Sequence, residues 1–187
     1  MVVALVKSLG LSPDKACAEY LYSGILIDTG RFRFSNTSPA VLNTAAELVA
    51  AGVKPDKVSE RIFYHNTLET TRALGRMINT IALHAGGRIA TAYFDLPFIQ
   101  SDEWKSVDTE GFVNHALAIR GVEVAVLFKE TKAGVTRASL RAKNDYDVNR
   151  VAGVFGGGGH AKASGCTINQ PLEDAIKTLV AEIGKGL

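Results

Sequence analysis

Apolar positions in the first third of the chain recur at helical spacing. Ser38-Pro39 supplies an N-cap followed by proline at the first helical position, after which Val41, Leu42, Ala45, Leu48 and Val49 share one face and Gly52 stops the helix. Ser12-Pro13 predicts the same device for a helix running toward Gly24, and the opening MVVALVKSLG reads as part of a helix entered abruptly. A third helix starts at Pro55, with Val58 and Ile62 inward. In the polar run YHNTLETT, residues 64–71, the apolar face lapses while helical propensity persists, so this run is the expected domain boundary. A helix through Leu74, Met77, Ile78 and Ile81 then ends at His84-Ala85-Gly86-Gly87.

Beyond Gly87 the period changes. Residues 88–95 alternate as a strand, Asp108 caps a helix carrying Phe112, Val113, Ala116 and Leu117, and Gly121 ends it. VEVAVLFK and VTRASLRA flank a turn at residues 131–134 and read as a hairpin. Asp147 or Asp145 caps a helix through Val148, Val151, Ala152 and Phe155 that runs into four glycines; CTI is a short strand; Pro171 opens a last helix. The expected fold class is α/β, a helical amino-terminal part followed by a small mixed sheet flanked by helices.

Composition excludes several classes. At 187 residues, 47% hydrophobic and 21% charged, the chain holds enough apolar material for one substantial core or two small ones, which argues against disorder. A net charge of +2 gives no global basic field for coating long duplexes, so any polyanion must be met locally. Cys17 and Cys166 form neither a disulfide framework nor a zinc ribbon and suit a reducing cytoplasm. No apolar stretch reaches membrane-spanning length, and no signal peptide is recognisable at the amino terminus.

Two stretches carry candidate chemistry. In VFGGGGHAKASG, Gly156, Gly157, Gly158 and Gly159 stand between a capped helix and a strand inside one domain, which disfavours a linker. The alternative is a loop that exposes its N–H groups to an anion, with His160 and Lys162 at its lip; a dinucleotide fingerprint is excluded because a helix precedes the glycines where a strand should. On the strand before it, a period of two places Arg137, Ser139 and Arg141 on one face and Thr136, Ala138, Leu140 and Ala142 on the other. Such a face is either a solvated outer surface or a guanidinium array for phosphate. Asp28, at the end of the apolar Gly-Ile-Leu-Ile segment in GILIDTGRFRFSNTS, needs a partner or serves a turn. His65, His84 and His115 read as structural, and Trp104 and Tyr93 as packing residues with the shape to stack a base.

The combination of RASLRAK, VNRVAGVFGGGGHAKASG and the upstream DTG segment resembles the DHH phosphoesterase superfamily, in its oligoribonuclease and 3'-phosphoadenosine 5'-phosphate phosphatase branch, the bacterial nanoRNases. The glycine motif is shared with RecJ-type exonucleases, cyclic-dinucleotide phosphodiesterases and part of alanyl-tRNA synthetase. The resemblance implies that Asp28 is a manganese ligand, with magnesium as an alternative ion. It also implies that Ser139, Arg141, the four glycines and His160 hold the terminal nucleotide and phosphate of a substrate, with Asn149 and Lys162 in support. Arg137 joins them from strand geometry alone. Ala142 stands where the family usually has serine.

The Asp-His-His triplet that names the superfamily does not occur in the sequence, and one aspartate cannot hold two ions. The chain is therefore expected to be the carboxy-terminal portion of such an enzyme: residues 1–65 the end of the catalytic domain, 66–85 a linker helix and 86–187 the DHH-associated substrate-binding domain. The expected partners are short single-stranded RNA or a nucleotide, with a second copy of the chain as a candidate for covering uncovered apolar surface. A nucleotide or cyclic-dinucleotide binding module without chemistry, and another DHH-type exonuclease or phosphodiesterase, are the competing readings.

Overall fold

The computed structural model describes residues 6, 8, 10, 13–33 and 36–187. The expected helix in MVVALVKSLG and the Ser12 cap fall largely or wholly outside them. The chain divides into two compact units, Met1–Asn66 and Thr67–Leu187.

The described residues of the first unit include the helices α1 (Lys15–Asp28), α2 (Pro39–Ala50) and α3 (Pro55–Phe63). Asp14 caps α1 by accepting from the Cys17 amide. Gly24 does not end that helix, which runs four residues further because glycine weakens a helix without breaking it. Ser38 caps α2 as expected, but only Ala45 and Leu48 of its apolar stripe are buried, and Leu42 and Val49 are exposed. Tyr22, Leu26, Leu48, Val53 and Val58 form this unit's core.

The second unit is built on one sheet with α4 (Leu68–Asn79), β1 (Ala82–His84), β2 (Ile89–Phe94), α5 (Leu96–Ile99), α6 (Val113–Leu117), β3 (Val124–Lys132), β4 (Val135–Ala142), α7 (Val148–Val154), β5 (Gly158–His160), β6 (Ala163–Ile168) and α8 (Leu172–Gly184). The strand order is β1-β2-β3-β4-β6-β5, with β2 and β3 parallel and all other neighbours antiparallel, so the sheet is mixed as expected. Helix α4, expected as a linker, buries Ala73 and Met77 in this unit's core. Residues 82–84, expected as a helix end, pair with β2 because Thr80 stops the helix and its hydroxyl accepts from the Tyr93 amide. Asp108 does not cap α6; its carboxylate accepts from the Glu110 amide in a local turn, and the unexpected helix α5 is capped by Asp95.

Each face of the sheet has its own core, as the alternation of strand side chains requires. On one face Ile89, Val124, Val126, Phe128 and Leu140 pack against Val148, Val151, Ala175, Leu179 and Ile183 of α7 and α8. On the other, Ala90, Ala92, Phe94, Ala125 and Leu127 pack against Met77, Phe98, Phe112 and Ala116. Fully burying a side chain such as Leu140 or Leu179 contributes about 1.5–3 kcal/mol. The strand residues of the second core come only from β2 and β3, so over β4 and β6 that face of the sheet carries no apolar core and is partly open, with Arg137 and Thr167 exposed.

Candidate nucleotide-binding face

Strand β4 alternates as its sequence requires: Thr136, Ala138, Leu140 and Ala142 are buried, while Arg137 is exposed and Ser139 and Arg141 are half-buried. Register then defines three rows across the open face. Arg137 lies between Lys129 of β3 and Thr167 of β6; Ser139 lies between Leu127 and Gly165; Arg141 lies between Ala125 and Ala163. The outer strand extends the last two rows, pairing Gly158 with Gly165 and His160 with Ala163. Small residues thus occupy the middle of a surface that carries cations on either side.

A cavity of about 540 Å³ opens at the first row. Its lining brings together Arg137, Ser139, Gly156 and Gly157 with three residues that the sequence reading left out, Lys129, Thr131 and Thr167, and with Trp104. Arg141, Gly158, Gly159, His160, Asn149 and Lys162 do not line it. The Lys129 ammonium donates to the Thr109 hydroxyl and stands 5.8 Å from the centre of the Trp104 ring. Burial, and after it the neighbouring Arg137 charge, push Lys129 below the usual lysine range, against an opposing pull from Asp108. Among the described residues neither Lys129 nor Arg137 forms an ion pair with a carboxylate. Trp104 is held edge-on by Phe94 and Phe98, with ring centres 5.0 and 5.7 Å away. It combines the packing role expected of it with a place on the cavity wall.

The glycine run has a structural explanation that differs from the anion cradle expected of it. Gly156 takes a left-handed φ of 69° and its amide donates to the Gly153 carbonyl at 3.0 Å, while the Gly157 amide donates to Ala152 at 2.9 Å; together these close a Schellman cap on α7. Two of the amides expected to face a ligand are therefore used to end the helix. At Gly157 a Cβ would stand 2.2 Å from the Gly165 carbonyl oxygen and 2.6 Å from the Cys166 Cβ, so the turn lies directly on β6. At Gly159, φ is 150° and a Cβ would stand 2.5 Å from the Ala163 carbonyl oxygen. Gly156 has open space around it but a left-handed φ, so Gly158 alone of the four combines room with an ordinary φ, its nearest neighbour being Asn149 Oδ1 at 3.8 Å.

Lys162 is likewise committed elsewhere, its ammonium donating to the carbonyl oxygens of Asn144 and, at 3.1 Å, Tyr146. His160 is exposed, and its carbonyl accepts from the Ser164 hydroxyl. Arg141 Nη1 donates to the Leu140 carbonyl at 3.0 Å. Asn149 lies in the first turn of α7, which Asp147 caps by accepting from the amides of Asn149 and Arg150.

Asp28 belongs to the first unit, at the carboxy-terminal end of α1, where its carbonyl accepts from the Asn36 amide group at 3.0 Å. Among the described residues no three histidine, cysteine, aspartate or glutamate side chains gather in a way that could hold a metal ion. The set does not fit a two-ion centre, and no step through a metal is assigned to it. No described helix is long and apolar enough to cross a membrane.

Comparison with known proteins gives the family. A family model, the DHHA1 domain, matches residues 71–185. The bifunctional oligoribonuclease and PAP phosphatase NrnA of Thermus thermophilus is 34% identical over 90% of this chain and 50% of its own length. The protein of the same name from Bacillus subtilis is 28% identical over 87% of this chain and 50% of its own. The chain spans about half the length of the curated relatives it matches. The crystal structure of an exopolyphosphatase-related protein from Bacteroides fragilis superposes with a TM-score of 0.84 at 24% identity, covering 92% of this chain and 51% of that one, and shares the fold.

Proposed function

The chain belongs to the DHHA1 domain family, and from that premise we propose that its second unit is the substrate-binding part of a phosphoesterase that degrades short oligoribonucleotides and removes the 3'-phosphate of 3'-phosphoadenosine 5'-phosphate. The observation that carries the reading is the pairing of Lys129 with Arg137, two cations opposed across adjacent strands and without a carboxylate ion pair among the described residues, at a cavity that also holds Ser139. Like charges placed directly opposite one another destabilise a sheet, so an anion seated between them relieves a repulsion the fold otherwise carries. The activities in the names of the Thermus and Bacillus relatives supply the substrate class.

On this reading the first unit belongs to the catalytic domain, Asp28 contributes one carboxylate toward manganese or magnesium, and the remaining ligands are not among the described residues. The chain then binds nucleotide in the cytoplasm without turning it over. Calorimetric titration with 3'-phosphoadenosine 5'-phosphate and with a short oligoribonucleotide, paired with a manganese-dependent hydrolysis assay on the same sample, tests this. Binding without hydrolysis is the expected result. Absence of binding to both ligands contradicts the substrate-domain reading, whereas hydrolysis contradicts the assignment of binding alone.

A further inference from the structure

The lysines of the chain differ in what their amines face. Lys57, Lys105, Lys177 and Lys185 each pair with a carboxylate three residues away, and Lys162 is committed to two carbonyl oxygens. Among the described residues Lys129 has neither kind of partner. It is half-buried, its nitrogen donates to the neutral Thr109 hydroxyl, and it stands on a cavity wall with Arg137 directly opposite and Ser139, Thr131 and Thr167 lining the same space. Burial, and after it the Arg137 charge, loosen its hold on the proton against an opposing pull from Asp108, so more of it is the neutral nucleophile than of an exposed lysine at the same pH. A neutral amine beside donors that bind phosphate is matched to one kind of electrophile, a carbonyl carbon that carries phosphate as its leaving group.

We propose that Lys129 is a site of covalent acylation by small acyl phosphates, mixed anhydrides of a carboxylic acid and phosphate, and that this modification turns off phosphate binding on the open face. The proposal rests on the functional reading above for the seating of phosphate, and adds a chemical step that regulates the same site. Arg137 and the cavity hydroxyls hold the phosphoryl group of the donor, which brings its acyl carbon to Lys129 Nζ on the facing strand. The nitrogen lone pair attacks that carbon and an N–C bond forms. The C–O bond to phosphate breaks with its electron pair staying on the phosphate oxygen, and the amine proton passes to solvent. The products are an uncharged amide and free phosphate, with nothing oxidised or reduced. The face thereby loses one of its two opposed cations.

Incubation of the chain with acetyl phosphate, followed by peptide mapping in the mass spectrometer, gives the acetylation rate of each lysine. Lys129 should react about tenfold or more faster than the exposed Lys177, because a seated donor makes the attack effectively intramolecular. N-hydroxysuccinimide acetate, which has no phosphate to seat, serves as the reference reagent. The ratio of the two reagents' rates at Lys129 is the readout, since a change in the amine's basicity acts on both. Excess inorganic phosphate and Arg137→Gln should each lower that ratio, and the phosphate competition gives the same test without a substitution if the variant fails to fold. The chain acetylated at Lys129 should bind 3'-phosphoadenosine 5'-phosphate about tenfold more weakly, the value of one charged hydrogen bond. Equal rates at Lys129 and Lys177, a reagent ratio indifferent to inorganic phosphate, or unchanged nucleotide affinity after acetylation overturns the proposal; the functional reading survives each of these where calorimetry shows the unmodified chain binding the nucleotide. An unmodified chain that neither binds the nucleotide nor shows protection by phosphate overturns the functional reading and the proposal together.

Discussion

Substituting alanine at two adjacent glycines separates the structural from the ligand-binding explanation of the glycine run. At Gly157 the added carbon would meet backbone, the Gly165 carbonyl oxygen at 2.2 Å and the Cys166 Cα at 2.7 Å, neither of which can swing aside as a side chain can. Relief requires moving the turn off β6, and overpacking of this kind costs about 1–3 kcal/mol, with a backbone clash belonging at the upper end. At Gly158 the nearest atom is the end of the Asn149 side chain at 3.8 Å, an ordinary contact, and φ is not in the left-handed region. Gly158→Ala should therefore change stability by no more than about 0.5 kcal/mol, or raise it slightly by restricting the unfolded chain. For a unit of this size about 2–3 kcal/mol corresponds to a fall in Tm of roughly 6–12 °C for Gly157→Ala. Thermal and urea unfolding followed by circular dichroism would measure both variants against the parent. Equal stability of the two variants would refute the claim that the turn is glycine-rich because it lies on β6.

Three further expectations follow from individual contacts. Lys162→Met removes the donor to the Asn144 and Tyr146 carbonyls and should destabilise the second unit by about 1 kcal/mol, given the exposure of the contact, while leaving nucleotide affinity unchanged; a selective loss of affinity in calorimetry would return Lys162 to the site. Asp147→Ala leaves two amides of the α7 first turn uncapped and should cost about 1 kcal/mol in urea unfolding, with an unchanged midpoint contradicting the capping role. Because burial and Arg137 depress Lys129, with Asp108 opposing, phosphate affinity should fall as pH rises and should begin to fall below the ordinary lysine range. Stability moves the other way over the same window, since the unfolded chain holds that proton more tightly and stability rises with pH between the folded and unfolded values. Paired titrations and melts on the alkaline side of neutrality, with Lys129→Met as the variant that should lose both slopes, check this; parallel slopes would contradict it.

Much of the second unit was legible because its signals are local. The alternation in VTRASLRA correctly separates Arg137, Ser139 and Arg141 from Leu140 and Ala142, and the hairpin that precedes it is the one observed. Lys129 was missed although its signal was present: folding VEVAVLFK back across the turn at residues 131–134 brings it opposite Arg137, but as the last residue of an apolar strand it reads as a solvated end. The glycine run is the opposite case. A left-handed cap at Gly156 can be suspected from a helix that stops there, whereas the reason for Gly157 lies in the backbone of β6, eight residues away in sequence and recognisable only once the strands have paired. Asp108, expected as a helix cap, and Asp95, expected only as the end of a strand, were misread for a similar reason, since an aspartate ahead of apolar residues signals a turn and a helix cap equally well, and Phe98 and Phe112 pack against Phe94 where the two outcomes are built.

The central claim, that the open face over β4 and β6 receives a nucleotide's phosphates, is most directly tested by heteronuclear NMR of the chain during titration with 3'-phosphoadenosine 5'-phosphate. Amide shifts should cluster at Lys129, Arg137, Ser139, Gly157 and Gly165 and at the Trp104 indole, with the buried residues of α8 such as Ala175 and Leu179 unmoved. Saturable shifts confined to the α7 and α8 side of the sheet, or to the helices of the first unit, would contradict it.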